Sequence, residues 1–222
     1  MDIKVIITGA TGFVGEGVLL TCLEHPDVKQ VLMVNRRHFS KDHSKLKECI
    51  IPDFSDLDNF NEQLTGYNAC FFCAGVSSVG MNRKEYSHIT YDLTLNFAGK
   101  LAKLNPDMVF IYVSGALTDS SENGKIMWAR VKGKTENDLM KLPFKGEYNF
   151  RPALMRPMPG QTNLKGYYKI IHRIFPAIRF LFPAQVSTLQ EVGRAMINCV
   201  LQGYSKQILE VKDINLMAKL QV

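Results

Sequence analysis

The chain has 222 residues, 46% hydrophobic and 22% charged, with a formal net charge of +6 at pH 7. That is enough for one substantial core, and too apolar for a disordered polymer. The charge is modest, no Lys/Arg run marks a nucleic-acid arm, and no segment reaches the length of a membrane span.

Five cysteines (Cys22, Cys49, Cys70, Cys73, Cys199) lack both paired CxxC and Cys/His ligand spacing. They read as free thiols in a reducing compartment, with no metal site. The chain opens on a strand with no basic leader, so the expected location is cytoplasmic.

Short apolar runs alternate with amphipathic stretches, the pattern of a parallel sheet flanked by helices. Ile3–Thr8 is a continuous β-branched run, as suits a strand covered on both faces. Phe13 to Leu23 follows as a helix, ending near His25-Pro26. Gln30–Val34 reads as strand two and Cys49–Pro52 as strand three, before a helix whose first turn is acidic (Asp56, Asp58). Ala69–Cys73 makes strand four, leading into the small-residue loop Ala74 to Ser78. Lys84–Leu104 is helical, Met108–Val113 a fifth strand, Trp128–Leu142 a helix, and Tyr148–Met155 a sixth strand interrupted at Pro152. Leu189–Leu201 is helical and Gln207–Val211 a last short strand. The fold class is α/β, a doubly wound parallel sheet (Rossmann fold). A single domain spans 1–222, with 160–222 contributing a small lobe over the strand ends.

The strongest local signal is Thr8-Gly9-Ala10-Thr11-Gly12-Phe13-Val14-Gly15, between a strand and a helix. Gly9 permits a tight turn, Gly12 lets a pyrophosphate approach the backbone, and Gly15 lets the helix pack closely. Amides at the helix start then face the phosphates. At the end of strand two, where a NAD-selective site presents a carboxylate, the sequence is Val34-Asn35-Arg36-Arg37. A guanidinium fork suits a 2′-phosphate, which favours NADP(H) over NAD(H). The alternative is that the arginines point into solvent.

The G-x-x-G-x-x-G spacing resembles the short-chain dehydrogenase/reductase superfamily. The closest likeness is to its extended and atypical members of the NAD(P)-dependent epimerase/dehydratase type, and among them to the TIP30-like oxidoreductase branch. The likeness covers most of the chain. It implies that Cys73-Ala74-Gly75 is the strand-four cofactor turn and that Asp53, with Phe54 beside it, bonds the adenine. Asp53 reads equally as a helix N-cap. It further implies that Ser114 is the strand-five catalytic serine, that Lys132 is the helix lysine bonding the nicotinamide ribose, and that Arg151-Pro152 lie near the nicotinamide. The superfamily's phenol stands four residues before that lysine, on the same helical face. Here the position is Trp128, whose indole cannot release a proton at physiological pH.

Three readings of this departure stay open. The chain binds NADP(H) as a sensor or interaction module, or another group (Ser114 through water, Tyr112, Tyr86, Tyr91, Tyr167 or Tyr168) supplies the proton, or the helix register differs. Lys132 has a plain reading as a solvated helix lysine, and Ser114 as a turn-former. Residues 165–182 mix basic and large apolar side chains, which suits a lid over a small-molecule substrate or a self-association surface better than stable membrane binding. The resemblance also implies a homodimer paired through long helices. No motif supports a nucleic-acid partner.

Overall fold

The computed structural model describes residues 1–39, 41–162, 164 and 175–220. Seven strands form one parallel sheet: β1 (Ile3–Thr8), β2 (Val28–Asn35), β3 (Leu46–Ile50), β4 (Ala69–Phe72), β5 (Val109–Val113), β6 (Gly146–Arg151) and β9 (Ile208–Glu210). Their order is β3-β2-β1-β4-β5-β6-β9, so the strand order reverses beside β1, where open α/β sheets leave a crevice. Along β1 the side chains alternate between two cores. Ile3, Val5 and Ile7 join α1 (Phe13–Glu24) and α6 (Leu189–Gln202), while Ile6 joins the layer of α4 (Leu93–Leu104) with Phe72, Phe97 and Phe110. Every β1 apolar side chain is buried, as a strand sandwiched between two helical layers requires.

The differences from expectation have local causes. Strand three lies at Leu46–Ile50 instead of Cys49–Pro52, because an edge strand carries polar Lys47 and Glu48 and lacks an apolar run. The helix expected after it shrinks to a 3-10 turn, Asp58–Phe60, and the four residues of α2 (Asn61–Leu64). The long helix begins as α3 (Arg83–Ser87), under a capping box of Asn82 with Glu85, and reaches α4 through a π-helical turn, His88–Asp92. Pro152, with no N–H to offer, ends β6; β7 (Leu154–Arg156) then leaves the sheet to pair with β8 (Val186–Thr188).

Within 160–222, α6 and β9 belong to the main layers. Gly17 and Gly193 bring α1 and α6 together so tightly that added Cβ atoms would come within 2.7 Å of Leu189 and Thr21. The last helix, α7 (Val211–Met217), buries Ile214 and Met217 in the same core. The basic and aromatic residues at 165–174, with Tyr167 and Tyr168, lie outside the described residues.

Glu147, Asn149 and Arg151 share one face of β6, toward α5 (Met127–Leu139). Burial pushes the Glu147 carboxyl up to about 9, helped by the negative charge of Glu136, against a bond from Asn149. The folded value exceeds the unfolded one. This contribution to stability is therefore fully present below the ordinary carboxylate range and is lost as pH climbs toward 9. Glu147→Gln removes the ionisation; it is expected to raise stability at pH 8 by about 1–3 kcal/mol and to change little at pH 4, by thermal denaturation at both values. An equal effect at both would refute the assignment.

Candidate functional site

The turn after β1 is built from backbone in close contact. Gly9 has φ +68°, and a Cβ there would lie 2.6 Å from the Ala74 amide nitrogen. A Cβ on Gly15 would meet the Gly9 carbonyl oxygen at 2.1 Å. Thr8 joins the two turns: its Oγ1 accepts from the Ala74 amide at 3.2 Å. No side chain caps α1 at Gly12, so the first-turn amides of Val14 and Gly15 suit an anionic oxygen. Val14 also packs on the core, and the Phe13 carbonyl accepts from the Gln161 side chain at 2.8 Å.

A cleft of about 250 Å³ opens here, bounded by Gly9, Thr11, Gly12, Asn35, Arg36, Phe54 and the Cys73–Gly75 turn. An adjoining depression of about 480 Å³ is lined by Thr11, Asn35, Arg36, Arg37 and Pro52. The structure thus brings the glycine turn, both arginines, Phe54 and the strand-four turn together. Burial raises the Cys73 thiol to about 12, so it serves as a neutral wall. Glu48 clamps the basic turn from β3, accepting from the Phe39 amide at 2.9 Å and lying 2.5 Å from His38 Nδ1. Burial works to raise this carboxyl, but the bonds from His38, Phe39 and Asn35 outweigh it and hold it below the ordinary range.

Asp53 is not in the cleft lining. It folds back in a turn, its carboxylate accepting from the Ser55 amide at 2.8 Å, and it caps no helix. Ile89 and Leu93, which the sequence reading missed, line the cleft from the π-helical turn and the start of α4. The extra residue of a π turn leaves no mark in apolar spacing; the only available signal was that this helix follows the strand-four turn.

Beyond β5 the expected catalytic residues lie near one another, but in other roles. The Ser114 hydroxyl donates to the Phe150 carbonyl at 3.1 Å and is buried, stitching β5 to β6. Lys132 Nζ donates to the Ser114 carbonyl; burial lowers its pKa, with Glu136 opposing. Trp128, half-buried, occupies the first turn of α5, one turn before Lys132.

Arg151 is withdrawn from the cleft, against expectation. Its guanidinium is buried against Glu136, with Nε donating to Glu136 Oε1 at 3.0 Å and Nη1 to Glu210 at 3.2 Å. A buried carboxylate without a countercharge would cost several kcal/mol, and Arg151 is committed to meeting that need. Pro152 contributes its carbonyl, which accepts from the Ala116 amide at 2.9 Å. Among the described candidate tyrosines, none offers an acidic phenol at neutral pH. Tyr112 is buried and held far above its usual value by desolvation, and burial likewise raises Tyr86. Tyr91 is raised by donating to Asp138 at 2.7 Å.

The model of the NAD dependent epimerase/dehydratase family matches residues 5–125, which hold the glycine turn, the arginines and the cleft. The chain belongs to this family. Similar relatives are the leucinostatins biosynthesis cluster protein T of Purpureocillium lilacinum, 30% identical over 50% of this chain and 42% of its own length, and the mitochondrial protein fmp52-1 of Aspergillus terreus, 28% identical over 68% and 66%. The mitochondrial protein FMP52 of Meyerozyma guilliermondii is 25% identical over 90% and 86%. The chain thus spans less than two thirds of the first two relatives.

Among solved structures, MoeE5 in complex with UDP-glucose and NAD superposes with a TM-score of 0.65 at 15% identity, over 97% of this chain and 80% of that one. The glucuronic acid dehydrogenase of Chromohalobacter salexigens gives 0.68 at 14%, over 94% and 76%. These likenesses establish the doubly wound fold; neither they nor the relatives single out the TIP30-like branch. The cytoplasmic location expected from the sequence does not stand, because the FMP52 relatives are named as mitochondrial proteins.

Glu48 is expected to order the basic turn of this family member. Removing the carboxylate in Glu48→Ala should speed hydrogen exchange of the Phe39 amide about tenfold or more, with the β1 amides unchanged. Unaltered exchange at Phe39 would show that the turn holds itself.

Proposed function

We propose that this family member binds NADP(H) and acts as a weak oxidoreductase of the atypical short-chain dehydrogenase/reductase type. The observation that carries the coenzyme choice is the pair Arg36 and Arg37, both exposed at the mouth where β2 ends. The nearby carboxylate, Glu48, is engaged by His38, Phe39 and Asn35. A guanidinium fork there suits a 2′-phosphate, and the Glu48 carboxylate already has hydrogen-bond partners of its own. The glycine cradle, which leaves no room for a Cβ at Gly9 or Gly15, fits a diphosphate on the main chain.

When bound, the nicotinamide supplies or accepts a hydride at a carbonyl carbon; the protein must move one proton at the carbonyl oxygen. The indole of Trp128 cannot give that proton. Among the described residues, Lys132 is the group left for it: burial makes its ammonium more acidic, and water can restore the proton. Ser114, bonded to Phe150, must turn to reach a substrate oxygen. Without a phenol, turnover is slow.

A second reading follows from the same Ser114 geometry. If its hydroxyl stays on Phe150, the chain is a non-enzymatic NADP(H)-sensing module. Either reading carries the mitochondrial setting of the FMP52 relatives, which cell fractionation tests.

Titration calorimetry with the four nicotinamide coenzymes should show NADPH and NADP⁺ binding most tightly. Arg36→Asp should weaken NADPH about 10- to 100-fold while sparing NADH; equal losses for both would remove the 2′-phosphate argument. NADPH oxidation with a panel of aldehydes and ketones should be slow in the native protein and about 100-fold faster in Trp128→Tyr. Should neither protein turn over while NADPH still raises the melting temperature, the sensor reading prevails.

A further inference from the structure

After β7 the chain turns back over α1. Met158-Pro159-Gly160-Gln161 has the residue order of a type II turn, with proline at its second position and Gly160, at φ +85°, in its third. The Gln161 amide closes the turn on the Met158 carbonyl at 3.4 Å, and the Met158 amide donates to Gln161 Oε1 at 2.7 Å. Met158 is buried, its sulfur 3.5 Å from the Thr21 hydroxyl near the far end of α1. The next two residues reach the first turn of that helix. Gln161 Nε2 donates to the Phe13 carbonyl at 2.8 Å, and the Thr162 amide and hydroxyl both donate to Glu16 Oε1 at 2.7 Å.

These bonds act on the end of α1 that meets the cleft. Gly12 lines the cleft and leads directly into Phe13. The Phe13 carbonyl and the Val14 N–H belong to one planar peptide unit and point in opposite directions. The first N–H groups of a helix point toward its start. A bond that holds the Phe13 carbonyl therefore also aims the Val14 N–H at the cleft mouth. Glu16 bears on the same end with the opposite sign. A carboxylate in the first turn suits the helix dipole, yet it would repel a diphosphate placed there. Bonded to Thr162, it stays fully buried.

We infer that Gln161 and Thr162 are positioning residues for the diphosphate of a dinucleotide: the first aims the Val14 amide, and the second keeps the Glu16 carboxylate buried. The inference rests on the dinucleotide reading of the cleft. The donors to the diphosphate are main-chain groups and remain when either side chain is changed, so the loss is graded. It falls on every dinucleotide alike, because all of them share the diphosphate, whereas a change at Arg36 bears on the 2′-phosphate alone.

Titration calorimetry compares the native protein with Gln161→Met, which keeps the length of the side chain and removes its hydrogen bonds. Every nicotinamide coenzyme that binds should weaken by the same factor, about 3- to 10-fold, while 2′-AMP, which has no diphosphate, should bind as before. Thr162→Val should act likewise, and Thr162→Ser should restore the native affinity. Thr162 is exposed and Gln161 half-buried, so neither change opens the core and melting temperatures should hold. Without ligand, the Glu16 amide, bonded to the Gly12 carbonyl at 2.9 Å, should exchange about threefold faster or more in Gln161→Met, with the β1 amides unchanged. An equal loss for 2′-AMP, or unaltered exchange at Glu16, overturns the inference. No heat with any coenzyme in the native protein refutes the dinucleotide reading and this role with it; coenzyme binding that ignores both Gln161→Met and Thr162→Val refutes this role alone.

Discussion

Contact between main-chain atoms at the glycine turn is the constraint from which the rest of the structure follows. Gly9 sits against the Ala74 amide and Gly15 against the Gly9 carbonyl, with no space for a side chain at either point. This fixes β1, the start of α1 and the strand-four turn relative to one another, and Thr8 adds a hydrogen bond across the same junction. α1 is then held on its outer side by α6, through contacts that only Gly17 and Gly193 permit. The helix that faces the cleft is therefore set by backbone on one side and by a late segment of the chain on the other. A dinucleotide cradle of this kind depends little on which side chains surround it.

The region beyond β5 follows a different rule. There the geometry is set by buried charge. Glu136 on α5 is fully buried and needs a cation; Arg151 on β6 meets that need, and Glu210 on β9 shares it. The network welds α5, β6 and β9 together, and it carries Arg151 out of reach of a ligand. Lys132, one turn before Glu136, turns instead to the Ser114 carbonyl. Removing Arg151 would leave a buried carboxylate unpaired, a loss of about 3–5 kcal/mol, so this arginine is fixed by folding and not by chemistry.

Sequence reading succeeds where pattern and geometry are the same thing. β1 was read to the residue, because a β-branched run before G-x-x-G-x-x-G fixes both strand and turn. The cleft-lining residues Gly9, Thr11, Gly12, Arg36 and Cys73 to Gly75 were legible because they follow the ends of buried strands. Asp53 and Arg151 were misjudged because a carboxylate or guanidinium finds its partner in three dimensions, and neither Ser55 nor Glu136 and Glu210 announces itself as that partner. The edge strand β3 was displaced by its polar face, and the π turn that brings Ile89 and Leu93 to the cleft has no periodic signature. The family match, by contrast, covers the stretch where backbone carries the signal.

The glycine turn and the region beyond β5 therefore tolerate change unequally. Phosphate recognition by amides and a helix terminus survives most side-chain substitutions, since the donors belong to the main chain. Proton transfer needs one group of suitable acidity at one place, and in the proposed reading the indole of Trp128 cannot supply it. Tyr112 does not compensate, since the burial that makes it a good core residue also keeps its phenol protonated. The lysine left beside Trp128 keeps an acidic ammonium only because the surrounding apolar structure disfavours charge.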